Sequence, residues 1–333
     1  MLSLQQIKKN IKPEIFNKNP KAVLVEYLQY EILDSIFKQK KSDCLSFMGG
    51  TAIRIVYGSN RFSEDLDFDN FGLSFLEFEK ILKAVIKDME NKDFKMEFRI
   101  VEKGAYHCYI KFPEILFDVD LSKNRSEKIL VRVDTAAKKK IFEPSVFILN
   151  GFSVYRKILV NPAAVILAQK IMTIIERKRE KGRDFYDVSY LLGITQPDHI
   201  FAEKEYKLYG EKLKNHLWTR LFRLDMKNLA NDVLPFLINP NERERVLSFK
   251  EYIEQKLKVD YSFDKPVYRK QIGNKILEVV PMFENGVKTF AVYLDDKDKI
   301  KNIANQFISD SPIEVFSNEK DACVFVNNYS KNN

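Results

Sequence analysis

Within residues 47–70, FMGGTAIRIVYGSNRFSEDLDFDN, four acids crowd together: Glu64, Asp65, Asp67 and Asp69. The whole chain carries a net charge of +8, so the crowding is local rather than compositional. Two like charges 4 Å apart repel by roughly 1 kcal/mol in water, and by more when partly desolvated. A divalent cation would offset that repulsion most directly. DLDFD alternates polar and apolar residues, which predicts a half-buried strand. Asp65, Asp67 and Asp69 then share one face, with Leu66 and Phe68 on the other. Carboxylates at i and i+2 can hold one hard cation such as Mg²⁺. Two such ions form the clamp for in-line phosphoryl or nucleotidyl displacement. Charge protection of a strand edge is the plainer reading of a lone D-x-D.

The residues upstream favour the phosphate chemistry. CLSFM reads as a short strand ending at Gly49-Gly50, and TAIRIVYG as a short helix closed by Gly58. Free N–H groups at a helix start bind phosphate, and glycine lets a phosphate approach the backbone. A plain strand-to-helix turn with Thr51 as N-cap would also use these residues. A third acid should come from a neighbouring strand. ILFDVDLS alternates as a strand and supplies Asp118 and Asp120 on one face. Asp120, flanked by Val119 and Leu121, is the favoured third metal ligand beside Asp65 and Asp67, with Asp118 its rival. Ser63 is either a phosphate or metal-water contact or a turn serine at the strand entry.

These residues need a scaffold. Apolar residues at helical spacing predict a helix over about Lys21–Lys40, and SFLEFEKILKAVIKDM reads as a second amphipathic helix. KMEFRIVEKG, AYHCYIKF and ILFDVDLS are predicted strands. The order predicts a small mixed sheet flanked by helices, an α+β domain over residues 1–155. From Asn161, a plausible N-cap before Pro162, a long helix runs through AAVILAQKIMTIIERKRE to a break near Gly182, and RDFYDVSYLLG restarts it. Helical patterns continue to about Leu257, giving a helical domain over 156–261. DYSFDKP then marks a change of texture. KTFAVYLD, IEVFS and ACVFVNNY read as strands and KDKIKNIANQFI as a helix, a small C-terminal α/β unit over 262–333 of unknown role.

On the long helix Lys170, Thr173 and Arg177 fall on one stripe. Lys170 has mostly apolar neighbours, so on residue grounds alone it is a snorkelling lysine or a functional one. In RDFYDVSYLL, Asp184 and Asp187 lie at i and i+3. An ion pair of Arg183 and Asp184 with the preceding helix explains them structurally. The three histidines show no metal spacing and receive no role.

Gly-Gly-Thr, Arg54, RFSEDLDF and a later strand acid together resemble the DNA polymerase β-type nucleotidyltransferase superfamily. With ILAQKIMTIIERKREKGRDFYDVSYLL, the stretch from about residue 20 to 195 is similar to the AbiEii/AbiGii nucleotidyltransferase toxins of toxin–antitoxin and phage abortive-infection systems. Gly50-Thr51 stands where many superfamily members carry Gly-Ser, and either hydroxyl can bond a phosphate. The resemblance implies a metal-dependent transfer from an NTP. Gly49, Gly50, Thr51, Arg54, Ser63, Arg177 and Arg183 would bind the nucleotide. Asp65, Asp67 and Asp120 would bind two Mg²⁺ ions (or Mn²⁺). Lys170 would reach the triphosphate. Asp184 would orient Lys170 or Arg183, or act as a base. The resemblance further implies an RNA acceptor, the 3′ end of tRNA, and a cognate antitoxin.

Composition is consistent with this. Apolar residues make up 45% and charged residues 31% of 333, as in soluble globular chains. No apolar run of about 18 residues predicts a membrane span, and no signal peptide is expected. Cys44, Cys108 and Cys323 suit neither a disulfide framework nor zinc, so a cytoplasmic location is the expectation. Acids and bases balance at ten each from residue 262 onward, so the basic excess lies upstream, dense between Arg156 and Arg183. Two other readings remain: a protein that binds GTP or modifies proteins with a nucleotide, and a non-enzymatic RNA-binding module.

Overall fold

The computed structural model describes residues 1–208, 210–257, 268–272, 275–284, 287–296 and 313–332. The chain divides into two compact units, Met1–Lys207 with Arg223–Tyr252, and Leu208–Phe222 with Ile253–Asn333. The larger opens with α1 (Leu4–Lys9), α2 (Pro13–Lys18) and α3 (Pro20–Phe37), then β1 (Leu45–Met48), α4 (Gly49–Ile55) and β2 (Leu66–Asn70). There follow α5 (Phe75–Glu90), β3 (Glu97–Glu102), β4 (Tyr106–Phe112), α6 (Ile115–Asp118), β5 (Ile129–Ala137), β6 (Ser145–Gly151) and β7 (Val154–Val160). Helices α7 (Ala163–Glu176), α8 (Gly182–Leu192) and α9 (His199–Tyr206) come next. After α10 (Gly210–Phe222), which belongs to the smaller unit, the larger closes with α11 (Met226–Val233), α12 (Glu244–Leu247) and the start of α13 (Phe249–Leu257). The smaller unit adds β8 (Tyr268–Ile272), β9 (Lys275–Glu284), β10 (Val287–Asp296), β11 (Glu314–Phe316) and α14 (Glu319–Asn332).

Seven strands form the main sheet in the order β3-β4-β5-β2-β1-β7-β6. It is mixed: β2 runs antiparallel to β1 and parallel to β5, and β7 is parallel to β1. Helix α3 starts at Pro20, where a missing N–H costs nothing, and Asn19 caps it through Ala22 N–H at 3.0 Å. Helix α5 starts in a capping box of Ser74 and Glu77. These two helices pack on each other and cover one face of the sheet. There Phe47, Phe68, Phe78 and Phe112 are buried, with Tyr106 against the rings of Phe75 and Phe78. Strand alternation sends Asp67 and Asp69 to the opposite face.

Several expectations are corrected. ILFDVDLS is no strand: it forms the single turn α6 between Glu114 and Asp120, both left-handed (φ 59° and 57°). Ile115 and Leu116 are buried as neighbours, a helical rather than alternating pattern. ACVFVNNY is helical, within α14. Ala322 and Val326, four residues apart, bury against Leu277, Val279 and Val292 of the four-stranded sheet β11-β10-β9-β8. The expected boundary at 155/156 falls inside β7, which pairs with both β1 and β6. Helices α7 and α8 belong to the same unit as the sheet rather than to a separate helical domain. Helix α7 ends at Glu176, with Arg177 already extended. Asn161 does not cap it: the N-cap position is Pro162, and the Asn161 amide N–H is turned onto Asp69. The linker DYSFDKP, the helix expected at 297–308 and Tyr209 lie outside the described residues. No helix among the described residues is long and apolar enough to cross a membrane.

Candidate active site

The carboxylates meet on the face of β2 opposite α3 and α5, where α4 and α7 pack. In the β2–β5 register Asp67 lies opposite Asp134, and in the β1–β2 register it lies opposite Met48, next to Gly49. Gly49 has φ +78°, and a Cβ built there would overlap the Asp67 carboxylate. Both facts demand glycine. At Gly50 a Cβ would crowd the Arg61 guanidinium and come within 2.9 Å of Ser63 Oγ. The Gly-Gly turn, Ser63 and Asp67 therefore converge on one spot. Thr51 is buried, and its hydroxyl donates to the Asp65 carbonyl, tying α4 to the acidic strand.

Asp67 is pushed up to about 6, first by burial, then by Asp65 and Asp134; Lys170 and Arg132 pull the other way. The third carboxylate beside it is thus Asp134, on β5. Asp120 and Asp118 lie outside the sheet, in the turn around α6, and Asp118 faces Lys95 at 3.9 Å. The signal was present in LVRVDTA, whose alternation puts Arg132 and Asp134 on one face. Arg132 clasps Asp65 in a bidentate pair, Nε to Oδ1 at 3.0 Å, and Nη1 approaches Asp134 Oδ2 at 3.8 Å. His107 Nδ1 lies 2.9 Å from the other Asp134 oxygen. Asp69, on the same face as Asp67, is enclosed by amides, accepting from Asn161 at 2.7 Å and Gln169 at 2.8 Å. Burial raises its pKa against those two bonds.

A buried charge network supports Lys170. Arg61, 1% exposed, donates to both Asp187 oxygens at 2.6 Å. Lys170 Nζ reaches Asp187 at 2.9 Å and Asp184 at 3.0 Å. Burial works against the ammonium, but Asp187 and Asp184 outweigh it and hold Lys170 above the ordinary lysine value. Burial likewise opposes the Asp187 carboxylate, and Arg61 with Lys170 holds it below the usual range. Arg177 Nη1 stands 3.3 Å from Asp184. Among the described residues Arg183 pairs with exposed Glu64, at 3.6 Å, and lies over the Phe236 ring. Lys181 is lowered by burial and then by Arg183 and Arg177, which marks a concentration of cations at the mouth of the site. Arg54 is not brought there. Its guanidinium is committed to Glu26 at 2.9 Å and to the Ser59 carbonyl at 2.8 Å.

No group of three or more His, Cys, Asp or Glu side chains among the described residues is gathered ready for a metal ion. Arg132 stands among the acids instead. Asp65, Asp67 and Asp134 are nevertheless hard oxygen donors, and burial with the two neighbouring acids holds Asp67 raised. That donor chemistry fits Mg²⁺ or Mn²⁺ and not a thiolate- or imidazole-seeking ion.

Residues 31–245 match the family described as nucleotidyl transferase AbiEii toxin, type IV TA system. Among solved structures, JHP933 of Helicobacter pylori aligns at 20% identity and TM-score 0.45 over 72% of this chain and 92% of its own. A second H. pylori protein, provisionally described as a nucleotidyltransferase, aligns at 19% and TM-score 0.48 over 72% and 95%. No curated protein matches.

Proposed function

The chain belongs to the AbiEii family of nucleotidyltransferase toxins of type IV toxin–antitoxin systems, and from that premise we propose that it transfers a nucleotide from an NTP to the 3′ end of an RNA, with tRNA the leading acceptor. Family membership implies a nucleotide substrate and a cognate antitoxin. The observation that carries the catalytic reading is the placing of Asp67 between Asp134 and the Cβ-free Gly49.

Asp65, Asp67 and Asp134 would hold the divalent ion, which supplies the positive charge that the triphosphate and the clustered carboxylates both need. The triphosphate lies against the Gly49-Gly50 turn, whose missing side chains leave room for Asp67 and Arg61 to close on it, with Ser63 as a hydroxyl donor. Lys170 neutralises developing charge on the departing phosphates. Asp184 and Asp187 orient Lys170, and Arg61 fixes Asp187. Arg177 and Arg183 line the mouth. The acceptor hydroxyl oxygen bonds to the α-phosphorus, the α–β bridging bond breaks, and pyrophosphate leaves. The hydroxyl proton passes to the Asp134 carboxylate, whose orientation His107 holds.

The test is incubation with each α-labelled NTP and total RNA in Mg²⁺, resolved on a denaturing gel. Label entering RNA with wild type and lost in Asp134→Asn supports the reading. Label entering protein instead, or RNA labelling unchanged in Asp134→Asn, overturns it.

A further inference from the structure

From the same face of the sheet we infer a platform for a single-stranded RNA end, formed by Tyr109, Arg99 and Lys111 on β4 and β3; the inference rests on the RNA-transfer reading. The register runs the catalytic row outward, Asp67–Asp134–His107–Val101 across β2, β5, β4 and β3. The adjoining row is Arg132–Tyr109–Arg99, so a tyrosine lies between two arginines on neighbouring strands. Helices α3 and α5 occupy the other face, where Cys108 and Ile110 are buried. On this face Tyr109 and His107 are half-buried, and Arg99 and Lys111 are exposed. Arg99 has no ion pair and Tyr109 no ring or hydrogen-bond partner among the described residues.

The acceptor must reach Asp134 from some side. Gly49-Gly50 and the Lys170 network occupy the approaches from β1 and α7. The open approach is over β5, β4 and β3, and β3 lies two strand spacings, roughly 10 Å, from β5. The groups there are those that hold an unpaired nucleic-acid end: an aromatic face for a base and cations for the backbone. Glu97, an acid on the same face, is held by Lys128 at 2.7 Å. Arg132 is held by Asp65, so Arg99 and Lys111 supply the positive charge, and the Tyr109 ring beside them, a stacking face for a base, favours RNA over an acidic protein segment.

The probe is a 5′-fluorescein single-stranded 10-nucleotide RNA with a free 3′ hydroxyl, followed by anisotropy with the full chain and no NTP. Tyr109→Ala is expected to weaken binding about tenfold, the scale of one lost base stack, and Tyr109→Phe to stay within about twofold. The pair Arg99→Ala, Lys111→Ala is expected to flatten the slope of log affinity against log salt by about 1.4, at about 0.7 per phosphate. Exposed Arg99→Glu serves as a variant that leaves the fold untouched, and it should weaken binding too. Unchanged affinity in all four, or loss confined to Lys178→Ala, Arg179→Ala, overturns the platform. Equal affinity for a blunt duplex also overturns it. Transfer of label to the same RNA by wild type is measured separately. Transfer with RNA binding indifferent to Tyr109 defeats the platform alone, whereas Tyr109-dependent binding without transfer defeats the transfer reading alone.

Discussion

At the scale of single residues, Asp67 carries the clearest consequence. Its pKa is pushed up to about 6 by burial and by neighbouring acids. The folded state then holds this proton more tightly than the unfolded chain does. Stability contributed by the neutral form is therefore present at low pH and lost as pH rises from the unfolded value near 4 through 6. Asp67→Asn removes that loss. In EDTA at pH 7.5 the variant is expected to be more stable than wild type by on the order of 1–3 kcal/mol, with the gap closing towards pH 4. Urea denaturation at both pH values measures it. The same variant is expected to retain less than about a tenth of transfer, since removing an electrostatic element of such a site costs several kcal/mol; more than that would remove Asp67 from the catalytic set. Lys170 serves two roles, as triphosphate contact and as counter-charge to Asp184 and Asp187. Lys170→Ala is expected to lower the thermal midpoint and also to weaken NTP binding at least about tenfold, the scale of one charge-assisted contact. Filter binding with labelled NTP decides. NTP affinity within twofold of wild type would make Lys170 a structural counter-ion only.

Among elements, the contact of α8 with α11 decides whether the charge network is held in place. Gly182, the first residue of α8, approaches α11 so closely that an added Cβ would overlap the Leu229 carbonyl. Its N–H donates to Asp232 at 2.7 Å. A backbone neighbour cannot swing aside as a side chain can. Gly182→Ala is therefore expected to destabilise the chain by about 1–3 kcal/mol, the usual cost of overpacking. By displacing Asp184 two residues on, it should also lower transfer. Calorimetry together with the labelled-NTP assay tests the pair. A variant as stable and active as wild type would show that α8 docks loosely.

For the whole molecule, the catalytic reading ties toxicity to the acids of the larger unit. Expression of the chain without its antitoxin is expected to slow bacterial growth, and Asp65→Ala is expected to relieve this at equal protein level. Lys320→Ala, an exposed change on α14 of the smaller unit, should leave toxicity intact. Growth curves with immunoblotting check all three strains. If Asp65→Ala were fully toxic, and toxicity followed Lys178 and Arg179 instead, coating of RNA rather than catalysis would be the cause.

What the sequence determined by itself was what is local. The alternation of DLDFD is a period-2 pattern and specifies a strand face wherever the strand is placed. The Gly49-Gly50 turn, α3, α5 and the strands β3 and β4 were legible for the same reason. The lone lysine of α7 and the acids of RDFYDVSYLL could be singled out by their neighbours alone. The partnerships were not legible, because they are set by strand order. Residues 67 and 134 become neighbours only because β5 inserts between β4 and β2, and no spacing along the chain encodes that. The nearest acidic alternation along the chain points to Asp120 as the third carboxylate, whereas the turn around α6 leaves that residue outside the sheet. Arg54 looked like a phosphate ligand beside Gly-Gly-Thr until Glu26, on a different helix, claimed its guanidinium. Arg61, inside the same glycine-to-acid stretch, carries no local sign of its role because its partner Asp187 lies 126 residues away. ACVFVNNY was ambiguous for a further reason. A short apolar run fits either period, and only the sheet it covers selects the helix.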